Sequence, residues 1–250
     1  MKMEVNGIIV QETDLSNSDK LVKILTSEEG LISAIAKNSK TIKNRLGGMV
    51  QLFSYGTFTL YSGKYGYIVN DLEIKELFLG LRDNLEILSL AQYFCQLCIA
   101  LRPESNVSEE VLRVILNCLH YLCKKTISVS VIKSIFELRM CALCGYMPQL
   151  VSCSECHTYE SESMFFIIES GKLFCKTCLK NNNAADIVAI SNSLLCALRH
   201  IVYSSIDKLF KFSISEETAE YLNCITEKYV KTHVYGNFKS LDFYKSLISF

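Results

Sequence analysis

Over the first eighty residues, apolar positions fall in short runs with the two-residue rhythm of strands. Val5 to Val10, Leu21 to Thr26, Leu31 to Ala36, Leu52 to Tyr61 and Tyr65 to Leu72 are five strand candidates. They are rich in Val, Ile, Thr, Phe and Tyr, and turn-formers such as Asn17, Gly30 and Ser62-Gly63 divide them. Five strands in so short a span predict a small barrel. The five-stranded OB-fold fits, and an SH3-like barrel satisfies the same pattern.

From Leu81 the period becomes helical. Leu85, Leu88, Ala91, Cys98 and Leu101 share one face, and Pro103 follows the end. Ser108 is placed to cap a second helix whose stripe is Val111, Leu112, Ile115, Cys118, Leu119 and Leu122. A third runs from about Val129 to Cys144, and Gly145 ends it. After a polar link at Asn181 to Asn183, Ser191 caps a helix carrying Leu194, Leu195, Leu198 and Ile201. A last helix runs from Glu216 to about His233. The expected class is α+β. A barrel domain covers 1–80 and a helical domain 81–250, the latter interrupted by a ribbon at about 151–180.

The ribbon expectation comes from CSECHTYESESMFFIIESGKLFCKTC. Its two Cys-x-x-Cys pairs, Cys153/Cys156 and Cys175/Cys178, are separated by eighteen residues. Each pair lets two thiolates from one tight turn converge, and two such turns complete the tetrahedral sulfur shell that zinc prefers. Met164 to Ile168 form a β-prone run, Ser170-Gly171 can turn, and Leu173-Phe174 bring the chain back. Four protein ligands leave no open position, so one zinc per chain would be structural rather than catalytic. The bland alternative is four unrelated reduced thiols. His157 directly follows Cys156 and reads as a bystander. Cys95/Cys98 and Cys141/Cys144 share the spacing but lie within helical stripes, where thiols behave as small core hydrophobes.

A chain of 250 residues, half of them apolar, has ample core for one large domain or two modest ones. Twelve cysteines without a signal-peptide pattern point to a reducing cytoplasm. No apolar run approaches the ~18 residues that span a bilayer. A formal charge of zero argues against a uniformly basic nucleic-acid binder, but the charge is unevenly spread. The forty-one residues from Gly30 to Asn70 contain no acid and five cations: Lys37, Lys40, Lys43, Arg45 and Lys64. Four of these crowd the nine-residue connection Lys37 to Arg45, a one-signed site for phosphates. Phe53, Tyr55, Phe58, Tyr61, Tyr65 and Tyr67 follow, and some can stack on unpaired bases. The plainer reading is a solvated loop with most of those aromatics inside the barrel.

Enzyme signatures are missing. Gly63-Lys64 and Gly171-Lys172 lack the context of a phosphate loop, and the four histidines show no paired spacing. A cysteine redox enzyme would want a βαβ setting that these pairs lack.

Several stretches together resemble the bacterial recombination-mediator family RecO. SDKLVKILTSEEGLISAIAKNSK resembles the family's opening strands and basic loop, and KNRLGGMVQLFSYGTFTLYSGKYG the following strand pair. FELRMCALCGYMPQLVSCSEC is similar to its helix, Gly-Tyr-x-Pro and first cysteine pair, and YVKTHVYGNFKSLDFYKSL to its C-terminal helix. Where the family often has Gly in the loop this chain has Asn38, which tolerates a left-handed backbone. The resemblance implies a non-catalytic DNA repair and recombination mediator, cytoplasmic and nucleoid-associated. It would bind single- and double-stranded DNA, anneal complementary strands and help load recombinase onto coated single strands. Lys37, Lys40, Lys43, Arg45 and Lys64 would meet phosphates. RecR is an implied partner, through the barrel. So is the acidic, apolar C-terminal tail of single-stranded DNA-binding protein, for which Lys133 and Arg139, and less strongly Lys124 and Lys125, would rim an apolar groove. A zinc-ribbon RNA-binding or transcription-associated factor is the competing reading.

Overall fold

The computed structural model describes residues 2–15, 18–41, 44–63, 66–180 and 186–248. Five strands, β1 (Lys2–Asp14), β2 (Lys20–Thr26), β3 (Leu31–Ala36), β4 (Tyr55–Gly63) and β5 (Gly66–Glu76), close into a barrel. Their order is β1-β2-β3-β5-β4, with β3 and β5 parallel and β4 antiparallel to β1. This is an OB-fold. The long β1 serves two neighbours: Lys2 to Ile8 pair with β4 and Gly7 to Asp14 with β2, with a bulge between Ile9 and Gln11. A side chain at Gly56, opposite Gly7, would overlap the carbonyl oxygen of Glu73, so the barrel's tight crossing needs glycine there.

Alternate residues of the strands, among them Val5, Ile9, Val22, Ile24, Phe58, Leu60, Val69 and Leu72, fill the interior. Leu46 and Val50 join them from the connection between β3 and β4, so that connection is a plug held in the core. β4 starts three residues later than the expected Leu52. Phe53 is buried in a left-handed turn (φ 71°), and its N–H donates to the Ile9 carbonyl at 3.0 Å. Its hydrophobicity serves the bulge of β1, not a strand.

The chain divides into two compact units, Met1–Lys124 with Asn237–Phe250 and Lys125–Gly236. The change from strand to helix near residue 80 is therefore a different boundary from the one between packed units. In the first unit a 3-10 turn at Leu79–Asp83 leads to α1 (Leu85–Leu101), whose cap Asn84 accepts from the N–H groups of Glu86 and Ile87. Ser108 does not cap α2 (Ser108–Lys124) but begins it. Its hydroxyl donates to the carbonyls of Ser27 and Ser105 at 2.7 and 2.9 Å, tying the helix start to the barrel.

The second unit holds α3 (Val129–Leu143), a three-stranded sheet of β6 (Met164–Ile167), β7 (Lys172–Cys175) and β8 (Ile187–Ile190) in the order β7-β6-β8, and a short α4 (Lys176–Leu179). Two further helices complete it, α5 (Asn192–Tyr203) and α6 (Glu216–His233). Ser191 caps α5, accepting from the Leu194 N–H at 3.3 Å. The last helix, α7 (Lys239–Ile248), belongs to the first unit and packs on α1, with Phe238 edge-on to Tyr93 at 5.4 Å. No described helix is long and apolar enough to cross a membrane.

Candidate nucleic-acid interface and metal centre

Lys37, Lys40 and Arg45 are exposed on the β3–β4 connection; Lys43 and Lys64 lie outside the described residues. The connection is firmly built. Asn38 is left-handed (φ 53°) and its N–H donates to Asp19 Oδ1 at 2.7 Å, while the Lys40 N–H donates to the Ser18 carbonyl at 3.0 Å. Asn44 closes the turn from both ends, its Nδ2 donating to the Lys37 carbonyl and its Oδ1 accepting from the Leu46 N–H, each at 3.0 Å. With Leu46 and Val50 in the core, the basic side chains stand on a fixed base.

Space changes the charge picture that the sequence presents. The window free of acids along the chain is not free of acids around the loop. Asp14 lies 3.3 Å from Lys40 Nζ, which also donates to the Leu15 carbonyl, and Asp71 lies 3.5 Å from Arg45. Lys20 bonds Glu12 at 2.7 Å. Between these groups and the loop lies an open polar cleft of about 760 Å³, lined by Glu12, Asp14, Lys20, Lys40, Thr41 and Gly48 among others. Of the aromatics, Phe53 and Phe58 are core, Tyr55 and Tyr67 are half-buried and Tyr61 is 40% exposed. Tyr65 is outside the described residues.

The proposed rim residues of a partner groove are not on the surface. Helix α3 is buried from Val131 to Ala142, so its cations find internal partners. Lys133, 1% exposed, pairs with Glu137 at 2.9 Å and Glu227 at 3.1 Å and donates to Asn223. Arg139 donates to the carbonyls of Val202 and Ile201. Neither forms an exposed basic rim. Lys124 is different: with Lys75 and His120 it borders a groove of about 530 Å³ lined by Ile74, Leu77, Phe78, Leu79 and Cys123. The acid there, Glu76, is engaged by the N–H groups of Leu77 and Phe78 at 3.0 Å.

The four cysteines do come together. The sulfurs of Cys153, Cys156, Cys175 and Cys178 lie within 4.8 Å of one another, and Cys156 to Cys175 is 3.7 Å. A tetrahedron of sulfurs around zinc at ~2.3 Å has edges of about 3.8 Å, so the set fits. The first pair sits in a tight turn: the His157 N–H donates to the Cys153 carbonyl at 3.0 Å and the Cys153 N–H to the Thr158 carbonyl at 2.9 Å. His157 is left-handed (φ 60°), exposed and outside the sulfur cluster. The second pair spans the end of β7 and α4, with Met164 opposite Cys175 across the hairpin. Gly171 makes the hairpin turn at φ 63°, where a side chain would crowd the Tyr229 hydroxyl.

The thiols titrate apart. The Thr158 hydroxyl brings Cys156 down to about 6, while the neighbouring Cys175 thiol foremost pushes Cys178 up to about 12. Burial raises Cys153, but the N–H groups of Cys156, Cys175 and Glu155 outweigh it and hold the thiol below its usual value. A cation among the four sulfurs would favour their thiolate forms together. Among the described residues no other group of ligand-type side chains converges; Cys95, Cys98 and Cys141 are buried and their thiols pushed up by desolvation where a shift is resolved.

Helices α5 and α6 grip the ribbon through side chains that no motif flagged. Arg199 bonds carbonyls around the first cysteine pair, and Tyr203 donates to the Pro148 carbonyl and accepts from the Leu150 N–H. Tyr229 donates to the Tyr146 carbonyl, and His233 shares a bond with the Ile168 carbonyl at 2.9 Å. The available signal was a cation on an apolar stripe: Arg199 falls in register with Leu195 and Val202.

Known proteins resemble the chain along nearly its whole length. A family model described as "Recombination protein O N terminal" matches residues 1–78, and one described as "Recombination protein O C terminal" matches residues 82–242. Among curated relatives, the "DNA repair protein RecO" of Acetivibrio thermocellus is 31% identical over 98% of this chain and 97% of its own length. Proteins of the same name from Alkaliphilus metalliredigens and Clostridium kluyveri are 28% and 27% identical, each over 99% of this chain and over 100% and 95% of their own lengths.

Proposed function

Since the chain belongs to the RecO family of DNA repair proteins, we propose that it is a recombination mediator working by binding rather than catalysis. It holds single- and double-stranded DNA on the barrel face that carries Lys37, Lys40 and Arg45; Lys43 and Lys64, outside the described residues, are further candidates from the sequence. Complementary strands held this way pair, and recombinase is helped onto coated single strands. The observation that carries the reading is the plugged loop: Leu46 and Val50 anchor it in the core while its cations face solvent. Affinity then arises from counterion release, with little readout of sequence.

The metal of the four cysteines is a single structural zinc that supports the ribbon. Three sulfur-ligand features favour it: four thiols, no fifth donor among the described residues and mutual spacing near that of a tetrahedron. RecR engages the barrel. The acidic, apolar tail of single-stranded DNA-binding protein docks in the groove beside Lys124, where apolar walls and the cations Lys75 and Lys124 complement it. The protein works in the cytoplasm at the nucleoid.

The test compares affinity for single-stranded DNA, duplex DNA and RNA across a salt series, with annealing of complementary strands measured alongside. Tight, salt-sensitive DNA binding coupled to annealing is expected. A preference for RNA with no annealing would favour the zinc-ribbon RNA factor instead.

A further inference from the structure

Arg199 is 9% exposed, and a guanidinium so deeply placed needs partners for its donors. All those found are main-chain carbonyls of one segment. Its Nε donates to Leu150 at 2.8 Å, and its Nη2 donates to Val151 at 2.8 Å and to Tyr159 at 2.7 Å. The Tyr159 ring covers the guanidinium centre at 4.0 Å. Leu150 stands three residues before Cys153, and Tyr159 three after Cys156. One side chain on α5 therefore holds both ends of the segment that carries the first cysteine pair.

We propose that Arg199 is a positioning residue for the metal centre: a guanidinium clasp that shapes the Cys153–Cys156 turn to receive its ion. The inference rests on the metal reading of the four cysteines. Closing the segment from Leu150 to Tyr159 costs chain entropy, and a clasp already in place removes that cost from the binding step. The planar fork of arginine suits the task, because it meets several acceptors at fixed angles. A lysine offers one point charge and cannot span the same carbonyls. The clasp also sets a cation against the turn where four thiolates around a divalent ion leave a net negative charge.

The test uses the full chain with Arg199→Met, Arg199→Lys and, as a control, His233→Ala. The control removes a ribbon anchor at Ile168, away from the cysteine turns. Zinc affinity is read by competition with a chromophoric chelator, and geometry by the sulfur-to-metal bands of the cobalt(II)-substituted protein. Arg199→Met should weaken zinc binding ~10–100-fold, as outer-sphere changes do. Its cobalt bands should shift or weaken. Arg199→Lys should recover only part of either loss. His233→Ala should keep wild-type affinity and spectrum. Wild-type affinity and spectrum in Arg199→Met overturns the proposal; if that variant does not fold, the same result in Arg199→Lys overturns it. An equal loss in His233→Ala also overturns it, since general loosening would then suffice. The metal reading fails separately, if Cys153→Ser with Cys175→Ser retains its zinc.

Discussion

Neutralising the plugged loop separates a phosphate contact from a structural role. In a variant carrying Lys37→Ala, Lys40→Ala and Arg45→Ala, the core residues Leu46 and Val50 are untouched. The only ion pairs lost among the described residues are Lys40–Asp14 and Arg45–Asp71, at 3.3 and 3.5 Å. Asp14 is 70% and Arg45 75% exposed, so each pair contributes ~0–1 kcal/mol and the melting temperature should barely move. Binding should change far more. Each phosphate contact contributes ~0.7 to the slope of log affinity against log salt for single strands, so three lost contacts flatten it by about 2. Between 50 and 200 mM salt, a slope difference of about 2 corresponds to roughly a 20-fold smaller loss of affinity than wild type suffers. Fluorescence anisotropy with labelled single strands of several sequences measures the slope, and thermal unfolding monitors the fold. Annealing should fall in step. A triple variant with the wild-type slope at unchanged stability refutes the loop as the contact. One that melts early with its slope intact assigns these side chains to the barrel instead.

Three other expectations follow from the same geometry. Asp14→Asn with Asp71→Asn releases Lys40 and Arg45 from their carboxylates, so DNA affinity should rise and the slope steepen by up to about 0.7 per released cation in the same assay; an unchanged slope would show that these acids do not compete with phosphate. Cys153→Ser with Cys175→Ser should lose its bound metal by elemental analysis and lower the unfolding temperature, because structural zinc contributes directly to folding. Lys133→Met removes the buried cation that Glu137 and Glu227 share, leaving Glu137 with the Thr226 hydroxyl and Glu227 with Lys231, and should cost about 3–5 kcal/mol in urea unfolding; a cost under about 1 kcal/mol would mean that the buried network relaxes freely.

Much was legible where local pattern and final structure obey the same rule. The limits of β3 and α6 match the expected spans, and the cysteine spacing foretold the sulfur cluster. What escaped was set by neighbours distant in sequence. Strand β8 has four residues and exists because β6 offers an edge, a cause that its own sequence does not contain. Leu46 and Val50 read as parts of a loop, since nothing in their spacing announces that they turn into the barrel. Lys133 and Arg139 are expected to rim an exposed groove, but α3 is buried from Val131 to Ala142 and their partners come from α5, α6 and α3 itself. The acid-free window holds along the chain but not in space, because folding of β1 and β5 brings Asp14 to Lys40 and Asp71 to Arg45.

The return of α7 to α1 fixes an order of events during synthesis. The barrel has all its strands by residue 76, and α1 follows at once, but the cover for Tyr93 waits for Phe238 and the helix behind it. Until that helix has been made, the flank of α1 that α7 covers stays without it, some 140 residues after α1 itself was made. A nascent chain stalled or cleaved before residue 237 therefore leaves that flank bare beside a finished barrel. Chaperones and proteases would read it as incomplete. Docking of α7 thus closes a contact between segments far apart in the chain, the kind of non-local pairing that forms late because loop closure must come first.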